Sequence, residues 1–338
     1  MNKVALPRER LTAPCFIGGR FVEGNGDRFE ITSPWFGSTV GESRESTQDD
    51  LNLTVNIARE AYAKWSQTPI KERTQVMFNF REILLRDIEK ISQVVSLENG
   101  KLVSEAKAGL LKGIEVLEFA TGLQNSDTGG RLEVSRGVFC EYRRESLGVV
   151  ASITPFNFPA MVPMWTIPIA LTLGNSFIWK PSEKTPLTSV FLAQALQEAG
   201  LPDGVFNVLQ GGRSIVEAIL DHPEIPAISF VGSTKIAKFV YERGTRYGKR
   251  VLALGGAKNH IFLLPDAEKE MTGKGIADSF TGCAGQRCMA ASVLLPIQDS
   301  SAHIEKIVEE ASKVRLGQDM GAVISKDQLT YLTEAIGR

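Results

Sequence analysis

The alternation of apolar and polar positions changes character along the chain. Over residues 16–44 short apolar runs are separated by glycine and polar residues, which predicts short strands joined by turns. Over residues 47–125 the apolar positions recur at helical spacing instead. Ser46 or Thr47 is the expected cap of the first helix, and Gly100 is the expected stop of a later one. We interpret this helical part as support for the rest of the fold.

Beyond residue 146, apolar runs alternate with amphipathic segments. Buried strands are predicted over residues 147–153, 176–181, 205–211 and 227–233, and helices over residues 187–200, 213–222 and 234–248. This alternation predicts a parallel, doubly wound α/β sheet, whose ligands bind at the carboxyl ends of the strands. Just before it, residues 138–143 alternate in polarity, which indicates an extended strand or a hairpin arm.

Composition narrows the class of protein without changing this picture. The 338 residues are 43% hydrophobic and 23% charged, as in an ordinary globular protein with two domains or one large α/β unit. Lys and Arg number 38 against 39 Asp and Glu, and the formal net charge of −1 gives no sign of a nucleic-acid or membrane-surface partner. No segment has the apolar length of a signal peptide or a membrane span, so we expect a cytoplasmic protein.

Cysteine and histidine positions argue against two further kinds of site. Four scattered cysteines in a reducing compartment are not expected to form a disulfide framework. Cys283 and Cys288 lack C-x-x-C spacing, and the histidines at 222, 260 and 303 lie far apart in sequence. We therefore predict no metal site.

Two of the predicted strand ends carry polar residues that could bind a ligand. Residues 232–234 (Gly-Ser-Thr) join a strand to a helix, where they could hold a phosphate or simply form a tight turn with a Ser or Thr cap. Lys180, Glu183 and Lys184 follow another strand; Glu183 could accept hydrogen bonds from ribose hydroxyls, and solvated loop charges are the alternative. Neither G-x-G-x-x-G nor a P-loop pattern occurs, so no fingerprint predicts dinucleotide binding.

The stretch GCAGQRCMAAS, residues 282–292, is the third candidate. A helix-like segment over residues 271–285 leads into it, and an apolar strand follows. Arg287 beside Cys288 favours a thiolate nucleophile, and a buried structural thiol is the alternative interpretation. Cys283 has the small neighbours and helical spacing of a packed thiol.

Six ordered motifs resemble the aldehyde dehydrogenase superfamily: TPFNFP, GNSFIWKPSEKTP, GLPDGVFNVL, ISFVGST, GAKNH and AGQRCMA. GAKNH with HPEIPAISFVGS and AGQRCMA is most similar to its coenzyme A-acylating methylmalonate-semialdehyde dehydrogenase branch. The resemblance runs from about Phe16 to the end of the chain. It implies a Rossmann-like NAD-binding domain over residues 11–130 and 147–253, a strand arm over 131–146 that forms a homodimer or homotetramer, and a partial α/β catalytic domain over 254–338.

The resemblance also implies roles for individual residues. Cys288 would attack the carbonyl of a small aldehyde substrate, and the Asn157 amide with the Cys288 N–H would stabilise the oxyanion. Hydride transfer to NAD would leave a thioester on Cys288. The NAD-binding residues would be Thr154, Phe156, Lys180, Glu183, Lys184, Ser233 and Gly255.

Two departures from the family pattern concern the acyl acceptor and the substrate. Leu254 stands where hydrolytic members have the glutamate that activates water, which favours coenzyme A as acceptor. His260 is the nearest other base in sequence, and we expect it to be packed or capping. Arg287 matches one of two arginines that hold the substrate carboxylate, but Lys112 replaces the other and lacks the bidentate fork. Methylmalonate semialdehyde itself is therefore in doubt, and malonate semialdehyde is the related alternative.

The third departure is the end of the sequence. The chain stops before the E-x-F-G-P segment and the tail strand, so we expect it to lack the family's C-terminal third. It would be either a fragment or a protein that has lost turnover. The alternative function is a non-catalytic nucleotide-binding or assembly module that keeps the fold.

Overall fold

The computed structural model describes residues 4–126 and 129–337. Residues 1–3 lie outside the described residues, as do residues 127 and 128 of the predicted NAD-binding range and residue 338 of the predicted catalytic range. The strands are β1 Leu11–Thr12, β2 Cys15–Ile17, β3 Arg20–Val22, β4 Arg28–Ser33, β5 Ser38–Arg44, β6 Gly129–Ser135, β7 Val138–Arg143, β8 Val149–Ile153, β9 Ser176–Lys180, β10 Phe206–Val208, β11 Ala227–Val231, β12 Arg250–Leu254, β13 Asn259–Leu263 and β14 Ala291–Pro296. The helices are α1 Gln48–Trp65, α2 Ile70–Arg86, α3 Ile88–Asn99, α4 Val103–Thr121, α5 Met161–Met164, α6 Ile167–Thr172, α7 Leu187–Glu198, α8 Arg213–Asp221, α9 Thr234–Arg246, α10 Lys269–Thr281, α11 Ser301–Ser312 and α12 Lys326–Ile336.

A seven-stranded sheet in the order β12-β11-β8-β9-β10-β2-β3 organises the first part of the fold. The five strands from β12 to β10 are parallel, which confirms the predicted doubly wound α/β class. β2 and β3 extend the sheet in antiparallel pairing, which was not predicted. Strands β8, β9 and β10 are buried along their whole length, because helices cover both faces of the sheet.

Alternate side chains of β9 show how the two faces are covered. Phe177 and Trp179 belong to one buried cluster, which includes Phe80 and Leu110 of the helices α2 and α4. Ile178 belongs to the opposite cluster, with side chains of α1, α8 and α9. Two such layers fix the sheet, and with it the positions of its carboxyl-end loops.

The helical part largely follows its sequence pattern. Thr47, and not Ser46, caps α1 in a capping box with Asp50. Gly100 ends α3 with a φ of 88°, as predicted from the Asn-Gly stop. The apolar pattern does not reveal the break at Asp87, where α2 ends and α3 begins.

Strands β6 and β7 form a two-stranded hairpin whose side chains from residue 131 to residue 143 are exposed. The predicted hairpin arm is confirmed as a structure, and its role in assembly stays a prediction. Among the described residues, no helix is both long and apolar enough to pass through a membrane.

The last part of the chain is built on the parallel pair β13 and β14, with α10 and α11 packed against each other. Several large apolar side chains here are exposed, including Phe262, Met289 and Leu316. The predicted division into domains is not decided by these contacts and stays a prediction.

Candidate active site

The carboxyl ends of β8, β9 and β11 open onto one cavity of about 700 Å³. It brings together six of the residues predicted to bind the cofactor: Thr154, Phe156, Lys180, Glu183, Lys184 and Ser233. Parallel strands direct their carboxyl ends to one edge of a sheet, which is why residues far apart in sequence meet here. Gly255, the seventh predicted residue, lines an adjoining cavity instead.

Lys180 is buried, so the alternative of a solvated loop charge is wrong for this residue. Its Nζ donates to the Gly211 carbonyl at 3.0 Å and lies 3.4 Å from Glu183 Oε2. Burial lowers the pKa of the Lys180 ammonium, while Glu183 and Glu45 oppose that change. The Glu183 side chain is 47% exposed and faces the cavity, which leaves carboxylate oxygens for a ligand.

The N-terminus of α9 meets the same cavity. Ser233 occupies the cap position, but in the described part of the chain its side chain makes no cap hydrogen bond. Thr234 Oγ1 instead accepts from Gly256 N at 3.1 Å. The first-turn N–H groups of a 13-residue helix are thus left without a side-chain cap beside the cavity. This arrangement favours the phosphate-binding interpretation of residues 232–234 over a capped turn.

Cys288 lies where two further cavities meet. One, of about 340 Å³, adjoins the first cavity through Phe156 and Ser233, and it also contains Asn157 and Gly255. The other, of about 400 Å³, has Cys288 on its wall together with Glu105, Lys112 and Arg287. Cys288 is partly exposed, whereas Cys283 and Cys15 are buried and Cys140 is exposed on the hairpin. The geometry therefore gives Cys288 access from both sides.

The backbone before Cys288 is locally strained. Helix α10 ends at Thr281, four residues before the predicted end, and Cys283, Ala284 and Gly285 then have φ values of 50°, 53° and 72°. Left-handed conformations at non-glycine residues cost of order 1–3 kcal/mol each and persist only where neighbours fix them. Glu105 does so by accepting from Cys283 N at 2.7 Å.

The Asn157 side chain is tied to this loop. Its Nδ2 donates to the Gln286 carbonyl at 2.9 Å. An amide nitrogen has two N–H groups, so one remains for a ligand in the cavity shared with Cys288. Asn157 Oδ1 is buried and finds no partner among the described residues.

Arg287 is directed at Cys283 rather than at the neighbouring Cys288. Its Nε lies 3.4 Å from Cys283 Sγ, and its Nη2 is 2.9 Å from Glu105 Oε1. Burial lowers the pKa of the guanidinium, but the contacts with Cys283 and Glu105 outweigh it and raise the pKa. Gly282 allows this fold-back, because a Cβ there would lie 2.2 Å from the Arg287 guanidinium carbon. The predicted pairing of Arg287 with Cys288 is therefore corrected.

Three other positions bear on the predictions. Lys112 is exposed and pairs with Glu115 at 2.9 Å, although it lines the same cavity as Arg287. Leu254 ends β12, where its carbonyl accepts from Gly232 N at 3.0 Å. His260 is exposed on β13, so the expected packed role is wrong.

Sequence reasoning missed two residues of the site, Glu105, which binds the turn at Cys283, and Lys101, which binds the main chain of Asn157. Glu105 lies on an amphipathic helix and Lys101 directly after a helix stop, and both positions are typical of solvated charges. Their partial or complete burial depends on how the turn after α3 and the helix α4 pack against residues 283–288. No local sequence signal reports such packing.

Comparison with known proteins agrees with the geometry. Residues 21–338 match the model of the aldehyde dehydrogenase family. The malonate-semialdehyde dehydrogenase 1 of Geobacillus thermodenitrificans is 40% identical over 312 residues, which are 91% of this chain and 64% of that protein. The malonate-semialdehyde dehydrogenase of Lacticaseibacillus casei is 43% identical over 326 residues, 94% of this chain and 66% of that protein.

Solved structures give the same result. A Sinorhizobium meliloti protein assigned as a methylmalonate-semialdehyde dehydrogenase and complexed with NAD superposes with a TM-score of 0.95 at 36% identity. The match covers 98% of this chain and 70% of that one. The methylmalonate-semialdehyde dehydrogenase of Oceanimonas doudoroffii gives a TM-score of 0.94 at 36% identity, over 96% of this chain and 69% of the other. The chain thus spans about two thirds of the length of the proteins it matches.

Proposed function

The chain belongs to the aldehyde dehydrogenase family, and from that premise we propose that it oxidises a small semialdehyde with NAD, through a thioester on Cys288 that coenzyme A accepts. The observation that carries the proposal is the position of Cys288 on the walls of both the cofactor-side and the opposite cavity. The aldehyde must bond to the nucleophile and face the hydride acceptor at the same time. A nucleophile between the substrate cavity and the cofactor cavity meets both requirements.

The residues of the cavity at the carboxyl ends of β8, β9 and β11 fit a dinucleotide. Lys180 and Glu183 present a donor and an acceptor for ribose hydroxyls, and the uncapped end of α9 suits a pyrophosphate. Apolar side chains of Val216, Ile236 and Phe239 line the remainder and suit an adenine ring. When bound, NAD would supply the acceptor for the hydride that leaves the aldehyde carbon.

Carbon–sulfur bond formation is assigned to Cys288. The Cys288 thiol first loses its proton to solvent; its thiolate sulfur then attacks the aldehyde carbon, and the carbonyl electron pair moves onto oxygen. The free N–H of Asn157 and the Cys288 backbone N–H are the donors proposed for that oxygen, where fixed donors lower the barrier by stabilising developing charge. The Gln286 carbonyl holds the Asn157 amide in place, so the donor needs no reorganisation during the reaction.

The semialdehyde carboxylate is assigned to the cavity of Arg287 and Lys112. Arg287 uses Nε and Nη2 for Cys283 and Glu105, which leaves further N–H donors of the guanidinium for a ligand. The pair between Lys112 and Glu115 is exposed, and such pairs are weak, so a substrate carboxylate can replace Glu115. Malonate and methylmalonate semialdehydes are the proposed substrates, because the relatives carry these names.

Coenzyme A is proposed as the acyl acceptor because Leu254 provides no general base for water. A thiol attacks a thioester with less assistance, since part of it is already thiolate near neutral pH. We also propose a cytoplasmic location, which suits four free cysteines, and a homodimer or homotetramer joined through the β6–β7 hairpin.

A second candidate is a nucleotide-binding or assembly module without turnover. The observation that favours it is the exposure of large apolar side chains in the last part of the described chain, including Phe262, Met289 and Leu316, because exposed apolar surface is a site at which another protein can bind. A module of this kind would bind NAD without changing an aldehyde.

Formation of NADH from malonate semialdehyde, with and without coenzyme A, separates the two candidates. The proposed function predicts NADH formation that rises with coenzyme A and depends on Cys288. NAD binding without any NADH, in both conditions, would support the binding module instead.

A further inference from the structure

Lys101 is buried beside the proposed oxyanion site, where its charge has no assigned purpose. It follows the glycine that ends α3, and the residue is 2% exposed. Its Nζ donates to the main-chain carbonyl of Asn157 at 2.6 Å and lies 3.9 Å from the centre of the Phe158 ring. An ammonium has three N–H groups, and one of them binds the Asn157 carbonyl while the charge lies against the Phe158 ring.

Asn99 holds the preceding peptide in the same manner. Its Nδ2 donates to the Phe156 carbonyl at 2.8 Å, and the residue is 1% exposed. The last residue of α3 and Lys101 just after it thus bind two consecutive main-chain carbonyls, while the Gln286 carbonyl accepts from the Asn157 side chain. The main chain of Asn157 and its side-chain amide are therefore held by different partners. With both held, the second N–H of the amide has a fixed direction.

The charges around Lys101 do not cancel. Lys101 and Arg287 face one carboxylate, Glu105, which bonds to Arg287 and to Cys283 N. Burial lowers the pKa of Lys101, Cys283 and Glu105 oppose that change, and Arg287 adds to it. Removing an uncompensated cation from water is costly unless an anion comes close. Negative charge that develops on the aldehyde oxygen during attack by Cys288 would provide one.

We propose that Lys101 is a positioning residue of the oxyanion site, which holds the Asn157 main chain so that the free amide N–H points at the aldehyde oxygen. The inference rests on the proposed function, because it requires an aldehyde adduct on Cys288. Small displacements of such donors are expensive, since a misplacement of about 1 Å can cost roughly a hundredfold in rate.

The test follows the adduct rather than turnover, and it needs no bound NAD. Propanal forms a thiohemiacetal with Cys288: the S–H bond breaks, the sulfur bonds to the carbonyl carbon, and the oxygen takes up the proton that the thiol has lost. The adduct protects Cys288 from iodoacetamide. Peptide mapping in a Cys140→Ser background, which removes the exposed thiol, gives the propanal concentration for half protection.

The propanal concentration for half protection is measured for Lys101→Met, for Asn157→Ala and for the double variant, which together form a double-mutant cycle. Asn157→Ala should weaken protection roughly two- to tenfold, as expected for a hydrogen bond to the neutral hydroxyl of the adduct. Lys101→Met should weaken it in the same range, and should add little to Asn157→Ala, because it acts through that residue. Lys107→Met is the matched control, since Lys107 is half-exposed on α4 and pairs with Glu89; protection should not change.

Since a buried cation also supports the fold, Lys101→Gln is measured beside Lys101→Met. It keeps an N–H donor without the charge and should restore part of the protection. Unchanged protection in both variants, or an effect that adds fully to Asn157→Ala, would overturn the positioning role. Absence of protection in the chain with Lys101 and Asn157 intact would instead contradict the proposed function.

Discussion

Cys288 and Cys283 share one cavity wall but differ in their surroundings. Cys283 is 2% exposed and accepts a hydrogen bond from Arg287, whereas Cys288 is partly exposed and also borders the cofactor side. The sequence already indicated Cys283 as the packed thiol from its neighbours. It could not indicate that the Arg287 guanidinium folds back over Gly282 towards Cys283, because this depends on left-handed turns at Cys283 and Ala284.

The same limit applies to the other site residues. Lys180, Glu183 and Ser233 could be located in advance, because strand ends follow from the alternation of apolar runs and ligands bind at those ends. Lys101 and Glu105 could not, because their burial is a product of packing between distant segments. The local sequence pattern indicates which face of a helix or strand is apolar. It does not indicate whether a distant segment packs over the polar face.

Leu254→Glu should raise hydrolysis of the acyl group to the free acid. Leu254 ends β12, and its side chain is 40% exposed, so a carboxylate there costs little desolvation. Help from a positioned general base is typically worth about 10²–10⁴ in rate. Release of free acid without coenzyme A is measured by chromatography, and Leu252→Glu, on the same strand with the side chain exposed, is the matched control. Equal acid release from both variants would show that the position of Leu254 has no catalytic advantage.

Helix ends illustrate a second level at which sequence patterns succeed and fail. Gly100 was identified as the end of α3 because Asn-Gly stops a helix by entering the left-handed region. The break at Asp87 carries no glycine or proline, and its φ of −98° and ψ of 12° arise where α2 and α3 change direction. A helix break without glycine or proline leaves the spacing of the apolar residues almost unchanged, so the sequence pattern does not indicate it.

Glu98 joins two helices and should make stability depend on pH. It is fully buried in α3 and accepts from Leu187 N at 2.6 Å and Thr188 N at 3.0 Å, at the start of α7. Burial raises its pKa from 4.5 to about 8, although the hydrogen bonds from Thr188 and Leu187 lower it. The folded state therefore binds more protons between these values, and the free energy of unfolding falls as the pH rises through them.

Glu98→Gln keeps an oxygen acceptor but cannot ionise, so this loss of stability between about pH 5 and about pH 8 should shrink. Urea unfolding at several pH values measures it. Glu89→Gln, exposed on the same helix, is the control and should keep the slope of the unsubstituted chain. An identical slope in the Glu98 variant would contradict the argument.

The β6–β7 hairpin should mediate self-association. A two-stranded hairpin is marginally stable alone, and its apolar side chains, including Leu132 and Phe139, are exposed. Leu132→Ser with Phe139→Ser should lower the mass measured by light scattering. Leu53→Ser with Phe119→Ser removes the same residue types from other exposed sites and should not. Equal masses for both double variants would contradict assembly through the hairpin.

The whole fold was predictable only in its class. Alternating strands and helices required a parallel sheet, because a strand followed by a covering helix returns in the same direction. The antiparallel addition of β2 and β3 beyond β10 was not foreseen, since short strands near the N-terminus carry no information about their pairing partner. The cavities formed between separate parts of the chain, at residues 104–112, 155–162 and 283–289, were likewise invisible.

Nucleotide binding should depend mainly on residues at the edge of the seven-stranded sheet and not on Cys288. The residues of the cavity at the carboxyl ends of β8, β9 and β11 come from segments between 153 and 242, all within the described part of the chain. Calorimetry should show NAD binding that ADP-ribose displaces. Lys180→Met should weaken it by roughly tenfold, as for a charged hydrogen bond, and Cys288→Ser should leave it unchanged. Absence of heat with either ligand would contradict the cofactor assignment.

The proposed mechanism requires that the acyl group be held as a thioester on Cys288, at the wall that the two cavities share. Mass spectrometry of the cysteine peptides, after the chain is mixed with NAD and malonate semialdehyde, tests it most directly. We expect an acyl adduct on Cys288 alone, formed together with NADH, absent in Cys288→Ser, and lost as acyl-CoA when coenzyme A is added. An adduct on Cys283, or NADH formation that persists in Cys288→Ser, would contradict it.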